Sequence, residues 1–147
     1  MSPDPMRTLI DVNLLVALLD EDHVHHGRAH EWWSANREDG WASCPLTQNG
    51  CIRVISQPSY PNPVSVAFAH DFLSEQIAAT DHAFWPDDIS LLDARLFDRS
   101  RILGPKQLTD VYLLALAVRN GGRLATFDGS VPASAVRGAE ASHLAIL

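Results

Sequence analysis

A chain of 147 residues, 46% hydrophobic and 20% charged, is long enough for one domain that buries about two-thirds of the surface its unfolded form exposes, so it needs neither a disulfide scaffold nor a structural metal to fold. Its formal net charge of −7 excludes bulk charge as a source of affinity for nucleic acid, although a divalent cation can invert the local field of an acidic pocket. The N-terminal "MSPDPMRTLIDVNLLVALLD" is apolar but carries Asp11 and Asn13 and is too short to cross a bilayer, which predicts a cytoplasmic protein without signal peptide or membrane span. Cys44 and Cys51, seven apart and outside C-x-x-C spacing, read as free thiols.

Thr8, Leu9 and Ile10 followed by Asp11 predict a strand ending at the acid, and "NLLVALLD" from Asn13 predicts the helix after it. "HHGRAHEWWSANRED" sets Ala29, Trp32, Trp33 and Asn36 at roughly helical spacing, with Gly40 as a stop. "WASCP" predicts a short strand broken at Pro45. Thr47 then caps a helix through "QNGCIRVIS", with Cys51, Ile52, Val54 and Ile55 inward, which the prolines of "QPSYPNP" end. "VSVAFAHDFLSEQIAA" repeats near 3.6 residues, "HAFWPDD" predicts a strand stopped at Pro86, and Ser90 is placed to cap an amphipathic helix over "LLDARLFDRS". A long buried helix follows Thr109 and stops at Gly121 and Gly122; "RLATF" predicts a strand leading to Asp128, and "SHLAIL" a last strand. Strands alternating with helices predict an α/β fold with a parallel sheet and helices on both faces, as one domain over residues 1–147.

In such sheets ligands gather beyond the carboxyl ends of the strands, and Asp11 and Asp128 each follow a predicted strand. Asp110 can join them from the first turn of the preceding helix. Taken alone, Asp110 also suits the helix dipole and Asp128 an ordinary turn before Gly129. Asp11 interrupts apolar sequence on both sides and has no such simple account. Three carboxylates together need a positive charge among them, and oxygen ligands of this kind suit Mg2+ or Mn2+. His23, His25, His26 and His30 lack the glutamate of H-E-x-x-H and any soft ligand nearby, so they read as structural or surface residues. Trp32, Trp33, Trp41 and Trp85 read as core or interface aromatics before base-stacking ones. Arg95, Arg99, Arg101 and Lys106, within twelve positions, form either a solvated face or an RNA contact.

Four segments, "LIDVNLLVALL", "HHGRAHEWW", "CPLTQNGCIRVIS" and "LTDVYLLALAVRNGGRLATFD", follow one another in the order and spacing of PIN-domain ribonucleases, and the chain resembles in particular the VapC-type toxins of bacterial toxin–antitoxin pairs. The resemblance implies a three-layer α/β/α PIN-like domain with a central, mainly parallel sheet, whose acids bind Mg2+ or Mn2+ while an activated water attacks an RNA phosphodiester. By position it makes Asp11, Asp110 and Asp128 catalytic and metal-binding, with Asn13 and Thr126 in support. Gln48, or less closely Asn49, stands where the family pattern has a glutamate. It further implies a transfer RNA or other structured RNA as substrate, inhibition of translation and growth until a VapB-type antitoxin binds, and a homodimer. A glutamine at 48 keeps a carbonyl oxygen but no charge, so a divalent cation is held less tightly and a single well-occupied ion is expected without RNA. The same glutamine leaves open a catalytically weakened PIN fold that binds RNA or an antitoxin. Haloacid dehalogenase-type phosphohydrolases also place Asp after a first strand, but Asn13 stands where they carry a second Asp, and no matching lysine-and-acid signature follows.

Overall fold

In the computed structural model, which describes residues 6–147, five strands form one sheet: β1 (Thr8–Ile10), β2 (Trp41–Ser43), β3 (His82–Phe84), β4 (Arg123–Thr126) and β5 (Leu144–Ile146). Residues 1–5, where the N-terminal stretch read above begins, lie outside the described part. The strand order is β3-β2-β1-β4-β5 and every neighbouring pair is parallel, with Leu9 facing Ala42 on one side and Leu124 on the other. Five α-helices connect them: α1 (Val12–Leu19), α2 (His26–Asn36), α3 (Pro45–Ser56), α4 (Val66–Ala79) and α5 (Leu108–Arg119). None of the described helices is long and apolar enough to cross a membrane.

The layers follow from side-chain alternation along the strands. Leu9, Ala42 and Leu124 pack with Val111, Leu113, Leu114 and Leu116 of α5 on one face. Ile10, Trp41 and Ala125 pack on the other with Leu14, Leu15, Ala29, Cys51 and Leu73 from the first four helices. The result is the expected three-layer α/β/α arrangement. Because α1 to α4 carry the chain from β1 outward to β3, and α5 returns it over the opposite face to lay β4 on the far side of β1, the order reverses between β1 and β4. There the Asp11 N–H donates to the Ala125 carbonyl at 3.2 Å. That reversal opens a crevice at the carboxyl ends of these two strands.

Several boundaries differ from the sequence reading. The residue capping α3 is Cys44, with Pro45 in the first turn; Thr47 lies inside the helix and reaches back, its Oγ1 accepting from Cys44 N–H at 3.0 Å. The buried face of α3 is Thr47, Cys51 and Ile55, while Ile52 and Val54 are only half buried. Helix α5 begins at Leu108, straight out of a 3-10 turn over Pro105–Gln107, so Thr109 lies inside the helix rather than ahead of it. Strand β4 ends at Thr126, and Phe127 stands outside it.

The largest departure is "LLDARLFDRS", which forms turns and one short 3-10 helix in place of an amphipathic α-helix. Ser90 Oγ accepts from Leu92 N–H, Asp93 Oδ1 from Arg95 N–H, and Asp98 Oδ1 from Ser100 N–H. Each short polar side chain closes its own turn and competes with the helical ladder. Phe97 is buried by bridging to Val136, and Asp98 N–H donates to the Ala135 carbonyl at 2.9 Å. Long-range pairing therefore claims the backbone that a helix would need. Leu92, within the segment read as that helix, is 92% exposed.

Candidate active site

The crevice at the reversal point is a cleft of about 620 Å³ into which Asp11, Asp110 and Asp128 all project, together with Asn13, Thr126 and Lys106. Each acid arrives by a different local rule. Asp11 leaves β1 in an extended conformation and becomes the N-cap of α1, its Oδ1 accepting the Leu14 N–H at 2.8 Å. Asp110 lies in the first turn of α5, where the helix N-terminus favours negative charge. Asp128 follows β4 and closes an Asx turn, its Oδ1 accepting from Ser130 N–H at 2.8 Å and from Ser130 Oγ at 2.6 Å.

The three carboxylates are electrostatically unequal. Burial pushes Asp11, which is 4% exposed, up to about 6. The hydroxyl of Thr126 and the Leu14 amide oppose the rise, and the charges of Asp110 and Asp128 add to it. Asp110, half-buried, is raised by burial and then by Asp128. Asp128 is exposed and held below the ordinary carboxylate range by its two bonds from Ser130. An ionised Asp128 and an Asp11 whose charge burial opposes thus share a cleft in which Lys106 is the one lysine or arginine among the described lining residues. Among the described residues no three acidic, histidine or cysteine side chains stand close enough to ligate an ion as they are.

A model of the PIN domain matches residues 8–135 of the chain. The chain belongs to the PIN-domain family. It is 56% identical over 142 residues, 97% of its own length and all of the relative's, to ribonuclease VapC44 of Mycobacterium tuberculosis. Ribonucleases VapC38 and VapC39 of the same organism are 46% identical over 124 residues and 39% over 134 residues, covering 84% and 90% of this chain and 86% and 96% of their own.

The PIN fold brings some of the sequence-derived candidates together and leaves others apart. Asp11, Asp110, Asp128, Asn13 and Thr126 share the cleft, and so does Lys106. Gln48 is not among the lining residues. Its side-chain amide donates to Ser43 Oγ at 2.9 Å, and Ser43 Oγ is 2.7 Å from His82 Nε2, so the glutamine is tied back to the sheet instead of lending its carbonyl to the acids. Arg95, Arg99 and Arg101 also lie outside the cleft: Arg95 pairs with Asp93 at 3.0 Å, and Arg101 approaches Asp98 at 4.0 Å. The sequence reading missed His23, His25 and Phe127, which line the cleft from the α1–α2 connection and from the end of β4. The signal lies in "HVHH", which follows a helix that starts at the first acid, but without a zinc-ligand pattern these histidines read from the sequence as structural or surface residues.

Proposed function

We propose that this PIN domain is a Mg2+- or Mn2+-dependent endoribonuclease toxin, restrained by a small antitoxin. The observation that carries the reading is the meeting of Asp11, Asp110 and Asp128 in one cleft at the point where the strand order reverses. Relatives spanning nearly the whole chain and named as ribonucleases support it.

The donor set is entirely oxygen, which suits Mg2+ or Mn2+ over soft metals. Burial raises Asp11 and Asp110, and the neighbouring carboxylates add to the rise, a smaller contribution that a cation would offset. Asp11, Asp110 and Asp128 would hold the ion, with Asn13 and Thr126 in support. When bound, a divalent ion polarises the scissile phosphate and lowers the pKa of a water. Asp11, fixed by Leu14 N–H, supplies a ligand whose position is set before RNA arrives. Asp110 orients the attacking water and takes its proton; the water oxygen bonds to phosphorus as the ester P–O bond breaks, and the departing oxygen is protonated from solvent. Lys106 places a cation beside the phosphate.

The test is cleavage of transfer RNA and other structured RNA by the wild type, Asp11→Asn and Asp110→Asn in Mg2+ and Mn2+, with a chelator control. Loss in both variants and in chelator is expected, and full activity in either variant removes that residue from the mechanism. One observation favours a second reading: with Gln48 tied to Ser43, no fourth carboxylate among the described residues lines the cleft, as in a weakened PIN domain that binds without cutting. Tight RNA binding with no cleavage in either metal would decide for it. The likeness to VapC proteins extends the proposal to a homodimer and a VapB-type antitoxin whose basic segment covers the acids, since a guanidinium pairs bidentately with a carboxylate.

A further inference from the structure

The cleft has a second wall that the acids leave unused. His23 and His25 reach it from the α1–α2 connection, and Arg28, in the first turn of α2, lies over Phe127 with its Cζ 4.8 Å from the ring centre. The ring of His25 is 5.0 Å from that same ring, and Arg28 Nη2 is 3.2 Å from His25 Nδ1. A guanidinium has only donors, so Nδ1 of His25 must accept and its proton must sit on Nε2. The same holds one step away: the backbone N–H of His25 donates to His23 Nδ1 at 3.0 Å, which leaves the His23 proton on Nε2 as well. Each imidazole thereby has its Nδ1 used as an acceptor and its Nε2–H left to donate. Phe127 holds the guanidinium over its face by a cation–π contact, beside Asp128 in sequence.

His23 and His25 give this wall N–H donors, their acceptor nitrogens being occupied, and Arg28, which is not itself a lining residue, adds one positive charge at the margin through its contact with Phe127. Such a set matches the anionic, acceptor-only oxygens of a phosphodiester and mismatches a basic peptide. A nucleobase edge, which presents donors and acceptors together, fits it less well. In a chain of net charge −7, local donors of this kind must supply what overall charge withholds. We propose that His23, His25 and Arg28 form a clamp for the RNA backbone, holding the phosphodiester next to the one being cut. The clamp rests on the nuclease reading of the same cleft.

The test uses the full chain carrying Asp110→Asn in Mg2+, so that RNA is held but not cut, with a fluorescein-labelled single-stranded RNA of mixed sequence as probe and anisotropy as readout. Arg28→Gln weakens binding about tenfold and makes the slope of log K against log salt shallower by about one, an effect that a purely structural role would not produce. His25→Phe keeps an aromatic ring against Phe127 and removes the Nε2–H. It weakens binding about threefold to tenfold at unchanged salt slope, and His25→Gln, which keeps an N–H donor, recovers most of the loss. In the protein without the Asp110 change, the same substitutions act on KM for RNA cleavage more than on kcat. Binding and salt slope of Arg28→Gln equal to its parent, or a His25→Phe loss that His25→Gln does not recover, overturns the clamp. Failure of the parent protein to bind the RNA at all also overturns it. If the unmodified chain cuts no RNA while binding still depends on Arg28 and His25, the nuclease reading falls and the clamp stands.

Discussion

Replacing Asp11 by Asn should make the metal-free protein more stable at neutral pH while abolishing RNA cleavage. Burial raises the Asp11 carboxyl from 3.8 to about 6, and at about 1.4 kcal/mol per unit the ionised form is disfavoured in the native state by about 3 kcal/mol. The direction in pH follows from proton counting. A raised native pKa means that between about pH 4 and pH 6 the folded chain keeps a proton the unfolded chain has released, so this residue's contribution to stability falls as pH rises through that window and is flat above it. Asparagine resembles the protonated acid and can still accept the Leu14 N–H, but its amide must place two N–H groups where the acid has one O–H. The expected gain at pH 8 is therefore about 1–2 kcal/mol, or roughly 3–6 °C in Tm for a chain of this size. Thermal unfolding of both proteins in chelator at pH 4.5 and pH 8 measures it, with the gain confined to the higher pH. Saturating Mg2+ should raise the wild-type Tm by a similar amount, about 1.4 kcal/mol at ten times Kd, and leave Asp11→Asn unmoved. A variant no more stable than wild type at pH 8, or equally stabilised at both pH values, would refute the reasoning that burial of this charge opposes folding.

Gln48→Ala should cost about 0.5–1.5 kcal/mol, the worth of one hydrogen bond to Ser43 Oγ. Ser43 keeps His82 as a partner, and RNA cleavage should stay within about threefold of wild type, because the side chain lies outside the acidic cleft; a hundredfold loss in a kinetic assay would return Gln48 to the site. Gly50→Ala should destabilise by about 1–3 kcal/mol in urea unfolding despite alanine's higher helix propensity, because the added Cβ would meet Cγ2 of Val12 at 2.6 Å where α1 and α3 cross. Val12→Ala opens that contact, so in its background the same change should be neutral or stabilising by up to about 1 kcal/mol, and strict additivity of the two substitutions would show that the helices do not meet there.

The strands and the long helices were legible because their patterns are enforced by burial. Thr8–Ile10 and Leu124–Thr126 are buried throughout, and their largely apolar runs leading to Asp11 and Asp128 read as interior strands. Gly121, with φ of +72°, ends α5 where the sequence placed the stop, since the left-handed conformation excludes most other residues. Residues 91–100, with Ser90 read as their cap, were misread for the opposite reason. Their apolar residues do recur near helical spacing, but Ser90, Asp93 and Asp98 each bind a nearby backbone N–H, and the partners that claim Phe97 and Asp98 lie almost forty residues away at Val136 and Ala135. Periodicity registers which residues prefer burial, and it contains nothing about a distant carbonyl that outcompetes the local one.

The site divides along the same line. Asp11, Asp110 and Asp128 can be placed together from sequence alone, because each is one step from an element whose direction is fixed by a parallel sheet, and a parallel sheet puts the carboxyl ends of all its strands on one side. Gln48 also stands at the start of a helix on that side, yet its long side chain has a choice of partners, and Ser43 Oγ, already engaged with His82, is near enough to take it. Short acids at strand ends inherit their position from the backbone; longer side chains take theirs from neighbours that sequence order does not reveal. The histidines make the same point from the other side. His23 and His25 gain their direction from a backbone N–H and a guanidinium, respectively, so no ligand spacing marks them in the sequence. Their place against the acids emerges only once Phe127, carried to the rim by β4, supplies the surface on which His25 and Arg28 assemble.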